Sequence, residues 1–453
     1  MKSRSVLLFI LTVIAALALL CRFFPEEGVT LGPFTLRFPS LTSILTGDEP
    51  AGETPEQLLA KRMEAIREAR RNDFLAYFET DPARIWFPGD SIQYFDAVFA
   101  ALDGADSSRV RIVHYGDSQI EEDRISRVLR DSLQTRFGGG GPGLLPVLDR
   151  YYTLSISESS TVEPRRYLAY GPAEMRGAGG RYGPLAQKSH YDSTVTTTFF
   201  PVKNNAGPSR YFNRLTFLSS GGDVSIRCKD TTVVLEASGE IRHIRIELPD
   251  STERVSITHS GSHDIYGVML DREDGVALDN VPMRGCAGTI FTGISAEQLA
   301  DYYISENVKL IILQYGGNVV PYTLRDESIS EYCSKISRQI AYLQQQAPDA
   351  RILFIGPSDM STSIQGKMQT YKHLPGFVDS LKATVLDSGA AFWDMYAAMG
   401  GQGSMARWVN QNPPLAGPDY IHFTPRGADR MGAMLYNALM LYYEYYHLNN
   451  DEL

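Results

Sequence analysis

The chain has 453 residues and a formal net charge of −10, with 43% hydrophobic and 21% charged residues. That length suits two or three domains with a full hydrophobic core, so stability needs neither disulfide staples nor a metal. An acidic chain without basic runs is no nucleic-acid module and is not held on anionic lipid by polybasic segments, and four cysteines are too few for a disulfide miniprotein.

Lys2 and Arg4 precede an apolar run from Val6 to Cys21, the pattern of a secretory signal or of an anchor with its basic end in the cytoplasm. Ala16-Leu17-Ala18 offers a small-x-small cleavage site, while about 16 apolar residues, extended by Phe23 and Phe24 past Arg22, suffice to span a bilayer. Residues 1–24 are read as an uncleaved signal-anchor in the inner membrane, with the bulk of the chain in the periplasm. Lipidation at Cys21 is set aside, because Leu20 stands where a lipobox has a small residue. Residues 25–80 read as a linker followed by a stalk helix. Thr54 caps that helix, Pro55 suits its first turn, and Leu58, Leu59, Met63 and Ile66 form its apolar stripe.

An α/β pattern follows. Residues 91–103 are helical, Arg111–Tyr115 is a buried strand, and Ile120–Phe137 is a helix stopped by four glycines. Between 151 and 280, short alternating strands (194–200, 211–218, 223–228, 231–236, 243–247 and 254–258) are separated by turn residues, which predicts a sandwich-like β region. Strands return at 310–313, 352–355 and 390–393, with helices over 296–304, 329–347 and 427–446. The layout is an α/β domain (81–150 and 281–453) interrupted by an all-β domain (151–280). The C-terminal Asp451-Glu452-Leu453 reads as an acidic end. A Cys228–Cys286 bridge is an alternative in an oxidising compartment and is not adopted.

In open α/β sheets, reactive groups gather at the carboxyl ends of the strands. The first strand delivers Gly116-Asp117-Ser118-Gln119, where Ser118 is either a helix cap or a nucleophile favoured by the helix dipole. A nucleophilic serine needs a base. Asp419-Tyr420-Ile421-His422 supplies a histidine with a carboxylate three residues ahead to fix its tautomer. The strand at 310–313 ends in Gly316-Gly317-Asn318, a turn that offers an amide donor, and Gly285-Cys286-Ala287-Gly288 offers a backbone N–H. His259, His263 and Asp264 lie in a polar β loop and are not read as a metal site.

Gly-Asp-Ser, a later glycine, Gly-x-Asn and Asp-x-x-His stand in the block order of the SGNH (GDSL-type) hydrolases, which this chain resembles. The stretches 115–143 and 392–422 resemble bacterial peptidoglycan O-acetylesterases of that superfamily, in which a β-sandwich accompanies the hydrolase domain. The resemblance implies a flavodoxin-like three-layer fold with a parallel sheet. It also implies Ser118 as nucleophile, His422 as base and Asp419 as its orienting carboxylate. Ser118, Gly288 and Asn318 would form the oxyanion hole. Asp117, Gln119, Gly317, Trp393 and Trp408 are the substrate-contacting positions, with core packing as the rival reading for the two tryptophans. Gln119 stands where relatives often have His, and Val319 where Asp or Glu is usual. The implied activity is removal of O-acetyl groups from a cell-envelope polysaccharide, most directly peptidoglycan, with no metal, cofactor or nucleic acid. The alternatives are an O-acetyltransferase using the same triad and a non-catalytic glycan-binding protein.

Overall fold

The computed structural model describes residues 3–25, 28–31, 34–36, 38–40, 44, 55–323 and 325–450. Lys2, the Thr54 cap, most of the linker and the Asp451–Leu453 tail lie outside the described residues. The chain divides into two compact units, Met1–Leu75 and Ala76–Leu453. The first holds a helix over Ser3–Phe23, a small hairpin (Val29–Leu31 with Phe34–Leu36) and most of the helix Pro55–Thr80. By length and composition, Ser5–Phe23 is long and apolar enough to cross a membrane. Leu58, Leu59, Met63 and Ile66, the expected stripe of the second helix, are exposed.

The second unit is built around a six-stranded sheet. Its strands are β1 (Ile85–Trp86), β2 (Val110–Gly116), β3 (Val276–Pro282), β4 (Val308–Gln314), β5 (Arg351–Ile355) and β6 (Ala391–Trp393). They lie in the order β3-β2-β4-β5-β6-β1, all parallel except the edge strand β1. Without β1, this is the flavodoxin-like order, whose switch point falls between β2 and β4. Helices cover both faces, as the alternation along β2 shows. His114 bonds Ser126 of the helix Arg124–Phe137, and its neighbour Tyr115 bonds Tyr303 of the helix Ala296–Ser305 on the other side. Such burial on both faces explains the apolar run Leu310–Leu313 of β4, while β2 is interrupted by Arg111 and His114, both of them buried and partnered.

Residues 143–271 supply two antiparallel sheets. One runs in the order Ser238–Thr252, Phe212–Gly221, His263–Asp271, Gln187–Tyr191, Arg165–Leu168, with Gly143–Leu145 also pairing with His263–Asp271. The other runs Thr231–Leu235, Val224–Cys228, Val255–Ser260, Val195–Pro201, Ile156–Ser160. Ile226, Ile257 and Phe199 of one sheet share a buried core with Phe217, Val268 and Leu270 of the other, so the two pack face to face.

The expected seam at 280/281 falls inside a strand of the parallel sheet, while that at 150/151 falls in a loop after the first strand of the sandwich. Gly143–Leu145 pairs with the antiparallel sheet, and Val276–Pro282 forms β3 of the parallel one. β3 was not among the expected strands, and its polar residues Asp279 and Asn280 are both matched. Arg111 donates to Asp279 at 2.6 Å and Ser126 to Asn280 at 2.7 Å. The same Arg111 pairs with Asp271 from the sandwich, while Arg109 and Arg245 converge on Glu306. A buried ion network therefore joins β2 to the sandwich. All four cysteines are free and buried, with Cys228 in the sandwich core.

Candidate active site

Ser118 and Asn318 emerge from β2 and β4, the two strands flanking the switch point. The expected helix start at Ile120 moves to Arg124, so Ser118 lies on a turn and not at the mouth of an α-helix. Within that turn Glu122 and Asp123 both have φ of 63°, a left-handed conformation that costs a non-glycine residue about 1–3 kcal/mol. Asp123 is held there by Arg130 (2.7 and 2.8 Å) and by the Ser155 hydroxyl. Gly116 is needed just before the turn, because a Cβ there would sit 2.9 Å from the Ile120 side chain.

The structure brings Ser118, His422 and Asp419 into one hydrogen-bonded chain. The Ser118 hydroxyl lies 2.8 Å from His422 Nε2, and His422 Nδ1 lies 2.7 Å from Asp419 Oδ2. The carboxylate fixes the tautomer, with Nδ1–H donating and Nε2 left to accept. Asp419 also accepts the N–H groups of Ile421 and His422, each at 3.1 Å. Burial pushes its carboxyl up, but the bond from His422 and those two N–H groups outweigh it and hold the pKa below the ordinary value.

Two straps hold the serine turn against the histidine loop. Arg124 donates to the Ser118 carbonyl (2.9 Å) and to the Phe423 carbonyl (3.3 Å). Gln119 donates to the Ile421 carbonyl at 2.7 Å. Gln119, expected at the substrate, lines the cavity over Ser118 and also serves as a strap through its amide. Arg124 is missed from sequence because it reads as one more charged position on an amphipathic helix.

A cavity of about 220 Å³ opens over the Ser118–His422 pair, bounded by Asp117, Gly317, Asn318, Met360 and Tyr322 among others. Asp117 lines it, yet its carboxylate oxygens are taken by the Gln119 N–H (3.0 Å) and the Asn318 amide (3.3 Å). Burial pushes the Asp117 carboxyl up to about 6 against the opposing pull of that N–H and of His422. Asn318 also donates to the Cys286 carbonyl at 3.0 Å, so its amide is held at the cavity wall by two acceptors. The Ser118 N–H has no acceptor among the described residues. Gly288 departs from expectation, since its N–H lies on the Cys286 sulfur at 3.3 Å and it does not line the cavity.

Both tryptophans are core residues. Trp393 is 1% exposed in β6 and donates to the Ala83 carbonyl at 2.8 Å. Trp408 is buried against Phe423, with ring centres 5.3 Å apart. The exposed aromatic at the rim is Tyr322, 76% exposed on the short helix after Asn318. Its four-residue spacing from Asn318 was the available signal. His259, His263 and Asp264, expected in a polar loop, stand instead on the strands Val255–Ser260 and His263–Asp271; the two buried histidines hydrogen-bond each other at 3.0 Å, and among the described residues no three metal-binding side chains converge.

No family model and no curated protein matches the chain. Among solved structures, a peptidoglycan O-acetylesterase captured in action aligns with a TM-score of 0.65 at 19% identity, covering 79% of this chain and 97% of that one. A family two carbohydrate esterase from Clostridium thermocellum in complex with cellohexaose aligns at 10% identity over 62% of this chain and 100% of that one, with a TM-score of 0.25. A Corynascus family two carbohydrate esterase with a carbohydrate-binding domain aligns at 12% identity over 58% and 98%, with a TM-score of 0.28. Those two likenesses are slight. In fold, this chain is similar to a peptidoglycan O-acetylesterase over nearly the whole of that enzyme.

Proposed function

We propose that this protein is a serine esterase that removes O-acetyl groups from a cell-envelope polysaccharide, peptidoglycan above all. The observation that carries the reading is the unbroken Ser118–His422–Asp419 hydrogen-bond chain at the floor of a small cavity. His422 takes the Ser118 proton as the oxygen attacks the acetyl carbonyl. The oxyanion accepts from the Ser118 N–H and from one Asn318 N–H, which leaves its longer 3.3 Å bond to Asp117. Collapse expels the sugar oxygen, which takes the proton from His422. Water activated by the same base then releases acetate and frees the serine. Asp419 stays ionised and holds the ring while it carries the extra proton.

In this reading 76–142 and 272–450 form the hydrolase part, and 143–271 the inserted sandwich. The N-terminal helix anchors the chain in the inner membrane, with the site on the periplasmic side.

The test is acetate release from O-acetylated peptidoglycan by the purified chain. Wild type releases free acetate and Ser118→Ala does not. Equal release by the two, or acetate passed to a second glycan with none freed, refutes the proposal.

A further inference from the structure

A second cavity, of about 350 Å³, lies where the serine turn meets the sandwich. Its volume falls within the range of small-ligand sites. The cavity begins close to the nucleophile. Glu121, in its wall, follows Ser118 by three residues, a reach of at most about 10 Å. The Glu121 carboxyl also feels the charge of His422.

Glu121 is only 7% exposed, and its Oε1 has no hydrogen-bond partner. The other oxygen reaches Arg284 at 3.5 Å. A buried carboxylate oxygen without a donor is costly, so the site is poised for an N–H or O–H from outside. Arg284 is exposed and sits over the Tyr151 ring at 5.4 Å, which gives the mouth a flat aromatic face and a cation. The wall also carries apolar Leu145, Leu185 and Met175, beside the mutually paired Asp123 and Arg130.

We infer that this cavity is a saccharide subsite for an N-acylated hexosamine unit neighbouring the ester-bearing sugar. The amide N–H donates to Glu121 Oε1, the acyl methyl packs on Leu145, Leu185 and Met175, and the pyranose lies on the face of Tyr151 that Arg284 leaves open. An unsubstituted glucan offers hydroxyls to Glu121 but leaves the apolar wall uncovered, so it binds more weakly. The inference rests on the proposed reading that the Ser118 cavity receives a glycan ester.

The experiment is titration of the full chain carrying Ser118→Ala with two tetrasaccharides of the same β-1,4 backbone. One is N-acetylglucosamine tetramer and the other is cellotetraose. The acylated tetramer binds about ten-fold tighter. Tyr151→Ala, at a 42% exposed position, and Met175→Trp, which fills the cavity, each weaken that binding about ten-fold. With Ser118 intact, the same two variants lower the ratio of kcat/KM on O-acetylated peptidoglycan to kcat/KM on 4-nitrophenyl acetate. Equal affinity for the two tetrasaccharides, or binding untouched by both variants, overturns the inference. Binding of the acylated tetramer by a protein that releases no acetate from peptidoglycan overturns the proposed activity and leaves the subsite standing.

Discussion

Replacing Asp117 by Asn tests whether the site stores strain. The carboxyl is buried, and its pKa rises from 3.8 to about 6 on folding. That rise is worth about 3 kcal/mol. The sign follows from proton binding. The folded state holds the proton more tightly than the unfolded one, so stability is highest below pH 3.8. It falls as the pH rises towards 6 and is level above. Asn keeps the shape of the side chain and cannot ionise. Asp117→Asn is therefore expected to be about 3 kcal/mol more stable than wild type at pH 7.5, and nearly equal to it at pH 4. Urea unfolding of the two proteins across that range measures the difference, since other groups titrate alike in both. The ionised carboxylate accepts from Asn318 and faces His422, so the stabilised variant is expected to lose kcat. A variant that is no more stable at pH 7.5, or whose advantage does not shrink on acidification, refutes the reasoning.

Asp419→Asn leaves a half-exposed loop folded but removes the acceptor for His422 Nδ1–H, and kcat on an acetyl ester falls by about 10²- to 10⁴-fold with KM little changed. Arg111→Met removes the cation from buried Asp279 and leaves Asp271 only the longer contacts to Arg109 and Arg214 (3.4 and 3.5 Å), so urea unfolding shows a loss of about 3–5 kcal/mol. Tyr322→Ala, at the exposed rim, raises KM for O-acetylated peptidoglycan without lowering the melting temperature, whereas Trp393→Phe, in the core, lowers the melting temperature and leaves KM unchanged.

The strands at the centre of the sheet were legible because burial on both faces gives continuous Val, Ile and Leu runs, as in Leu310–Leu313. Six of the eleven sandwich strands were legible from alternation and turn residues, and the others, His263–Asp271 among them, were not. β3 was not, because its polar residues are neutralised by Arg111 and Ser126, partners more than 150 residues away in sequence (|i−j| of 168 and 154). The helix Leu374–Asp387 was missed beside Pro375 and Gly376, which suit a first turn but read as loop. At the site, Ser118, Asp419 and His422 were nameable because short motifs carry their chemistry. The straps from Arg124 and Gln119 were not, because they depend on how two loops 300 residues apart approach each other. Gly288 was placed by block order, and only the backbone path shows its N–H turned onto sulfur. The tryptophans were weighed by residue type, whereas exposure is decided by which strand or helix buries them.

Ser118 and His422 are separated by 304 residues. In a chain made from its N-terminus, the serine exists long before its base does. All eleven sandwich strands, Gly143–Asp271, are complete in the interval and can pair among themselves, while β4, β5 and β6 are still to come. Contacts of such long sequence separation form late and slowly. A nascent chain, or one truncated before Asp419, thus carries a serine with no proton acceptor. In the proposed mechanism, arming of Ser118 is deferred until the last tenth of the polypeptide has packed onto the rest, so an incompletely made copy releases no acetate.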